Sequence, residues 1–258
     1  MLLVKDLPEE QQLALQVTTH RQRPKQKSTY IIDQAIHYLL PQALVKDING
    51  LYTRYSKEYM ELWESGCDND QVMEQAPSVV KQVEQGVKSL ALQHKSRLIP
   101  VESDYYDWEI QQRSFRVKAP SHSHMCKTLI MENTRCTHND ISDPLYSKFY
   151  CVITRYDSPV NTQVLMNYAR DLKDRTISKK NYNFRLADSQ VSFELTGFEK
   201  GGVCPVGMKS PVPMIMAESI TRLDPPVMFL GAGHIDWKLG IPVQDFINKT
   251  GCFVANLD

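Results

Sequence analysis

The chain has 258 residues, 42% of them hydrophobic and 23% charged, which is ordinary for a globular protein with a sizeable core. Its 30 basic and 30 acidic side chains cancel, so no overall field draws it onto nucleic acid or an anionic membrane. The start is charged too early for a secretory signal, no apolar run reaches membrane-spanning length, and the six cysteines form no CxxC pair. These features predict a soluble cytoplasmic protein.

The first ninety or so residues show helical periodicity. Apolar faces recur over 31–40, 44–63 and 72–91, with Gly50, Pro77 and Gly86 expected to interrupt or weaken the helices, and a basic stretch at 20–29 suits a loop. This pattern predicts a helical N-terminal extension over residues 1–95.

The pattern changes after residue 95, where short strands alternate with helices. The predicted strands are "RLIPV", "CKTLIM", "KFYCVITRY", "VPMIM", "VMFLGAG" and "CFVAN". The predicted helices are "SPVNTQVLMNYARDL", starting at its Ser-Pro, "ADSQVSFELTG", capped by Asp188 and stopped by Gly197, and "PVQDFINKTG", opened by Pro242 and closed by Gly251. Between the first two helices, "KDRTISKKNYNFR" reads as a basic loop. We therefore expect one mixed α+β domain over residues 96–258.

The stretch "EKGGVCPVGMKSPVP", residues 199–213, concentrates glycine and proline. It matches neither GxGxxG nor GxxxxGK[ST], and the chain has no GxSxG, so nucleotide-binding and serine-hydrolase motifs are absent. It is either a surface loop or, given its apolar residues, a packed loop whose bare backbone approaches a small ligand. Lys127, within the apolar strand "CKTLIM", points either to solvent or into a site that binds phosphate or a carbonyl oxygen.

Together, "CKTLIMENT", "GGVCPVGMKSPVP" and "FLGAGHIDWKLGI" resemble the YbaK/ProX family of aminoacyl-tRNA deacylases, free-standing relatives of the editing domain of prolyl-tRNA synthetase. The resemblance covers roughly residues 97 to 256 and is to the eukaryotic branch, with its helical N-terminal region. It implies an α+β fold with a mixed, barrel-like β-sheet and surrounding helices. It also implies a hydrolase that cleaves the ester of mischarged aminoacyl-tRNA, most readily tRNA for proline carrying Cys or Ala, with no cofactor and no metal.

The same resemblance implies which residues act. Lys127 would be the catalytic residue, orienting the aminoacyl-adenosine end. Substrate-binding positions would be Thr128, the loop residues Gly201, Gly202, Pro205 and Gly207, and the opposite wall Gly231, Gly233, His234 and Asp236. The implied partners are the acceptor end of aminoacyl-tRNA and an aminoacyl-tRNA synthetase, with neither DNA nor membrane.

Several alternatives stay open at this point. His234 could be a surface histidine, and Asp236 a helix cap or ion-pair partner. Ala217 and Glu218 stand where many bacterial members have an aspartate, which puts a role for that acid in doubt. The rival functions are a non-catalytic tRNA- or synthetase-binding adaptor of the same fold and a zinc hydrolase. Zinc ligands would come from a cluster of histidines and cysteines: His122, His124, Cys126, Cys136 and His138.

For two further segments, the sequence allows two interpretations each. The aromatic residues of "SDYYDW", 103–108, could stack the terminal adenine or pack in the core. The basic loop could contact the acceptor stem or be a solvated face. It contains Lys173, Arg175, Lys179, Lys180 and Arg185.

Overall fold

The structure is a computed structural model that describes residues 48–66 and 69–257, with side chains from residue 56 onward. The chain divides by its contacts into the units 1–55 and 56–258, and, apart from residues 48–55, the features below belong to the second. The helix predicted over 31–40 and the basic stretch at 20–29 lie outside the described residues.

Helices and strands alternate through the described residues. The helices are α1 (Ile48–Ser65), α2 (Asp70–Met73), α3 (Ser78–Ser89), α4 (Ile110–Arg116), α5 (Thr162–Asp171), α6 (Ser189–Thr196), α7 (Glu218–Thr221) and α8 (Val243–Thr250). The strands are β1 (Arg97–Pro100), β2 (Cys126–Asn133), β3 (Phe149–Arg155), β4 (Phe184–Leu186), β5 (Met214–Ala217), β6 (Val227–Gly231), β7 (Trp237–Pro242) and β8 (Phe253–Ala255). Short 3₁₀ turns cover Tyr105–Asp107, His122–His124 and Lys179–Asn181.

The strands form two sheets. One has the order β1-β7-β6 and is antiparallel, and the other has the order β4-β2-β3-β5-β8 with parallel pairing at β3-β5 and β5-β8. A bridge between Met125 and Phe229 joins them, so β6 lies beside the start of β2. The mixed α+β class is confirmed, but in the described part of the chain the sheets stay open and do not close into a barrel.

Most of the predicted elements after residue 95 are confirmed, together with their caps. All six predicted strands form, the Asp188 carboxylate accepts from the Gln190 N–H at α6, and Gly251 ends α8 in the left-handed conformation. Helix α5 differs in its start, because Asn161 caps it in place of the predicted Ser-Pro. The sequence patterns missed β4, β7, α4 and α7.

Residues on both sides of position 95 share the hydrophobic cores. Val80, Val83 and Val87 of α3 are buried in the main core with residues of both sheets. Trp63 of α1 lies in a second cluster against Phe229. Part of the predicted extension thus packs into the folded unit, and the division at residue 95 stays a prediction.

Among the described residues, none of the helices combines the length and the apolarity that a membrane span requires.

Gly86 allows α3 to approach residues 205–207 closely. A Cβ at Gly86 would lie 2.6 Å from the Gly207 amide nitrogen, so any side chain would push helix and loop apart. We expect Gly86→Ala to lower the free energy of unfolding by about 2 kcal/mol, although the same change ordinarily stabilises a helix. Denaturant unfolding measures this, with exposed Gln85→Ala on the same helix as the control. A stabilised Gly86→Ala protein would contradict the contact.

Candidate functional site

Two segments form the centre of the candidate site: the glycine loop, residues 199–207, and the β6–β7 turn, residues 231–236. A Cβ at Gly202 would lie 2.6 Å from the carbonyl oxygen of Gly233, and one at Gly231 would lie 2.7 Å from that of Val203. The Gly233 N–H donates to the Gly202 oxygen at 2.7 Å. Backbone therefore packs directly on backbone, which only glycine permits.

This packing explains what the glycines do. The N–H groups of Gly202 and Gly233 bond inside the protein, to the carbonyl oxygens of Glu199 and Gly202. The sequence predicted that Gly201 and Gly202 both present N–H groups to substrate. Of these two, only the Gly201 N–H has no acceptor among the described residues, and Gly201 has a φ of 90°, which favours glycine.

The end of the glycine loop is anchored to α3. Gly207 has a φ of 78°, and the Gln82 side-chain amide donates to its carbonyl oxygen at 2.5 Å. Pro205 is buried beside it. Both residues line a groove of about 510 Å³ on this side of the loop, and Lys127 is not part of its wall. Pro205 and Gly207 thus fix the path of the loop.

Lys127 is the second residue of β2 and is half-buried. Its ammonium lies 5.8 Å from the centre of the Tyr156 ring, and no carboxylate of the described residues lies within 4.0 Å. Thr128 is buried, and its hydroxyl has no hydrogen-bond partner. Because side chains alternate along a strand, Thr128 points to the other face of β2. The structure therefore does not bring these two side chains together.

Tyrosines and an arginine join Lys127 to the glycine loop, and the predicted site residues did not include them. The Tyr106 hydroxyl donates to the Gly201 carbonyl oxygen at 3.0 Å. The Arg113 guanidinium lies over the rings of Tyr106 and Tyr156, 5.6 and 5.2 Å from their centres. Burial, and then the neighbouring Tyr156, raise the pKa of Tyr106 above its usual range, so its hydroxyl remains a donor. The only sequence signal was "SDYYDW".

Lys238 on β7 is a second lysine in the site and was missed. Its side chain is 3% exposed, its Nζ donates to the carbonyl oxygens of Ile235 and Trp237 at 2.6 and 3.1 Å, and the Tyr106 ring lies 4.6 Å away. Burial lowers the pKa of Lys238 to about 7, against the attraction of Asp236. A lysine inside the apolar run "WKLGI" was the available signal, the same one that marked Lys127.

His234 and Asp236 lie together at the partly exposed edge of the turn. The His234 Nδ1 accepts from the Asp236 N–H at 3.1 Å and lies 3.8 Å from its carboxylate. The negative charge of Asp236 also opposes the lowering of the Lys238 pKa. The two residues therefore stabilise the turn and set its charge.

The structure does not group the histidines and cysteines of the alternative zinc-site hypothesis. Both His124 ring nitrogens are engaged, with the Ser121 hydroxyl at 2.9 Å and the Pro225 carbonyl oxygen at 3.0 Å. His138 lies instead beside Asp140 and the Tyr146 ring. In the part of the chain that the structure describes, no three His, Cys, Asp or Glu side chains are grouped so as to hold a metal ion.

The depressed pKa of Lys238 predicts a pH dependence of stability. The unfolded state keeps this proton up to about pH 10.4 and the folded state only up to about 7, so stability rises with pH between these values. We expect a gain of about 2 kcal/mol in the free energy of unfolding from about pH 6 to 8.5. The thiols of the unfolded chain ionise at about pH 8.5, whereas burial keeps Cys126 and Cys151 protonated in the folded state, which lowers stability at the upper end of this range. The Lys238 gain is therefore the difference in pH slope between the unaltered protein and Lys238→Met. Denaturant unfolding of Lys238→Met should show this gain removed, and equal pH slopes in the two proteins would contradict it.

Comparisons with known proteins agree with this architecture. The sequence model of the family described as aminoacyl-tRNA editing domain matches residues 116–249. A crystal structure of a candidate trans-editing enzyme for prolyl tRNA synthetase superposes with a TM-score of 0.57 at 16% identity, covering 71% of this chain and 99% of that one.

Two further solved structures are similar at this level. One is a scaffold protein from computational epitope grafting, with a TM-score of 0.54, 16% identity, and 71% and 98% of the two chains covered. The other is a hypothetical protein, with a TM-score of 0.51, 20% identity, and 68% and 98% covered. The similarity to these three solved structures shows the fold. Among curated proteins there is no significant match. Since the family model spans more than half of the chain, this protein belongs to the aminoacyl-tRNA editing domain family.

Proposed function

We propose that this protein hydrolyses the ester that joins a wrong amino acid to tRNA, acting on tRNA for proline charged with Cys or Ala. Membership of the editing family supports the reaction class. The observation that carries the assignment to this site is Lys127, a half-buried cation without a carboxylate partner among the described residues. It reaches the glycine loop through Tyr156, Arg113 and Tyr106.

For this reaction, the protein needs mainly to position the ester and to stabilise the developing negative charge. An aminoacyl ester is already activated, so water can attack its carbonyl carbon once an oxyanion can form and the ribose oxygen can leave. The Lys127 ammonium would stabilise that negative charge, and the Gly201 N–H is a second donor. The tight contact between the glycine loop and the β6–β7 turn would hold the adenosine end against a fixed wall.

In this proposal, the remaining predicted substrate-binding residues shape or support the site. Gly202, Gly231 and Gly233 would shape the wall, and Pro205 and Gly207 would hold the loop on α3. His234 and Asp236 would form the polar rim of the site. Thr128 would support β2 from its buried face. A cytoplasmic location and delivery of the substrate by an aminoacyl-tRNA synthetase belong to the same proposal.

Replacing Lys127 tests the proposal directly. We expect Lys127→Ala to lower kcat/KM for deacylation on the order of a hundredfold or more, because the developing oxyanion loses its cation. The assay measures release of Cys, Ala or Ser from charged proline tRNA. The matched control is Lys81→Ala, an exposed lysine on α3.

Full activity in Lys127→Ala would contradict the assignment. If the unaltered protein hydrolyses none of these substrates yet binds tRNA, the protein is the adaptor and not the enzyme.

The basic loop offers a second test, on tRNA binding. Lys173, Arg175 and Arg185 pair with Asp143, Asp171 and Glu132, whereas Lys179 and Lys180 are exposed with no ion pair in the described part of the chain. If these two lysines contact the acceptor-stem backbone, Lys179→Gln with Lys180→Gln should reduce the slope of log affinity against log salt by about 2. Fluorescence titration of tRNA at several salt concentrations measures it. An unchanged slope would make this loop a solvated face.

A further inference from the structure

Arg113 and Lys127 both lack counterions at the site. No carboxylate of the described residues lies within 4.0 Å of either, although both face the same Tyr156 ring. Arg116, one turn further along α4, is different: it holds the Glu102 carboxylate at 2.8 and 2.9 Å. The missing partner is thus a property of the site and not of the helix.

Arg113 is also under-satisfied as a hydrogen-bond donor. Its Nε is buried and has no partner, and its guanidinium lies over the Tyr106 and Tyr156 rings. A buried donor without an acceptor costs free energy unless a ligand supplies one. Aromatic faces hold a guanidinium plane in place while leaving its edge free for a planar or tetrahedral anion.

The fold fixes the backbone position of Arg113. The residue begins the second turn of α4, whose first turn is closed by a capping box between Glu109 and Gln112. The Tyr105 hydroxyl donates to the Arg113 carbonyl oxygen at 3.0 Å, and Tyr105 is itself buried. The guanidinium is therefore carried on rigid structure beside the glycine loop.

The chemistry of the substrate identifies the anion. At the charged end of aminoacyl-tRNA the amino group is positive and the ester is neutral, so the permanent negative charges are the phosphodiesters. We propose that Arg113 binds the phosphodiester of the 3′-terminal nucleotide and that Tyr106 and Tyr156 orient the guanidinium, while Lys127 remains the cation for the ester. This rests on the proposed function and adds a phosphate subsite to it.

Arg113 and Tyr106 precede residues 116–249, the part that matches the family. The 3₁₀ turn Tyr105–Asp107 and helix α4 therefore add this subsite to the editing domain from outside the matched segment. Lys238 also lies over the Tyr106 ring, but its Nζ donates to two backbone carbonyl oxygens, so it serves the turn and not the phosphate.

Two substrates that differ only in this phosphate test the subsite. The substrates are 3′-O-alanyl-adenosine and its 5′-phosphate, hydrolysed at pH 8. We expect the unaltered protein to prefer the phosphorylated ester in kcat/KM by about tenfold, a factor typical of one charge-assisted contact. Arg113→Met should bring the preference close to one while still cleaving the unphosphorylated ester, and Arg113→Lys should restore part of it. Arg116→Met is the matched control and should keep the preference.

The outcomes separate this proposal from the proposed function. An equal preference in the unaltered protein and Arg113→Met would overturn the subsite while leaving deacylation intact. If neither ester is hydrolysed, calorimetry with 5′-AMP and adenosine decides: tighter binding of 5′-AMP that Arg113→Met abolishes supports the subsite, and equal binding overturns it. Inorganic phosphate that binds as tightly as 5′-AMP would also overturn it, because the site would then be one for free phosphate.

Discussion

The contact between the backbones of Gly202 and Gly233 is the constraint on which the site depends. It leaves no space for a Cβ on either segment, and its hydrogen bond of 2.7 Å fixes the distance between the glycine loop and the β6–β7 turn. Any other residue at Gly202 would separate the two segments by a side-chain width. Because the loop is also anchored on α3 through Gly207, such a shift would reach the hydrophobic core.

The same contact also affects which charged residues lie close together in the candidate site. Tyr106 bonds to the Gly201 carbonyl oxygen, so the ring that lies near Lys238 and Arg113 is tied to the loop. Two cations are thereby held close to one ring without a carboxylate partner from the described residues, and a low local dielectric strengthens every charge interaction there. Burial, with a smaller contribution from the charge of Arg113, lowers the pKa of Lys238 to about 7, whereas Lys127 is more exposed.

Segments outside the family match contribute residues to the candidate site and support it. Helix α3 supplies the surface on which the loop ends, and it can do so only because Gly86 lets the two backbones meet. The turn Tyr105–Asp107 and helix α4 supply the tyrosine and the arginine. The family match of 134 residues thus lies within a larger folded unit, from residue 56 onward, whose added segments pack against the face that carries the candidate site.

The sequence by itself determined the features that are local. The strands β2 and β3, the caps of α6 and α8, and the order of lysine strand, glycine loop and second glycine turn depend on propensities and spacings within a few residues. Tertiary structure decided the rest. In the sequence, Lys238 is one charge in an apolar run, and its lowered pKa depends on the burial that the fold imposes beside Tyr106. Arg113 and Arg116 look alike in the sequence, since whether a cation meets a carboxylate depends on which distant residues the fold brings to it.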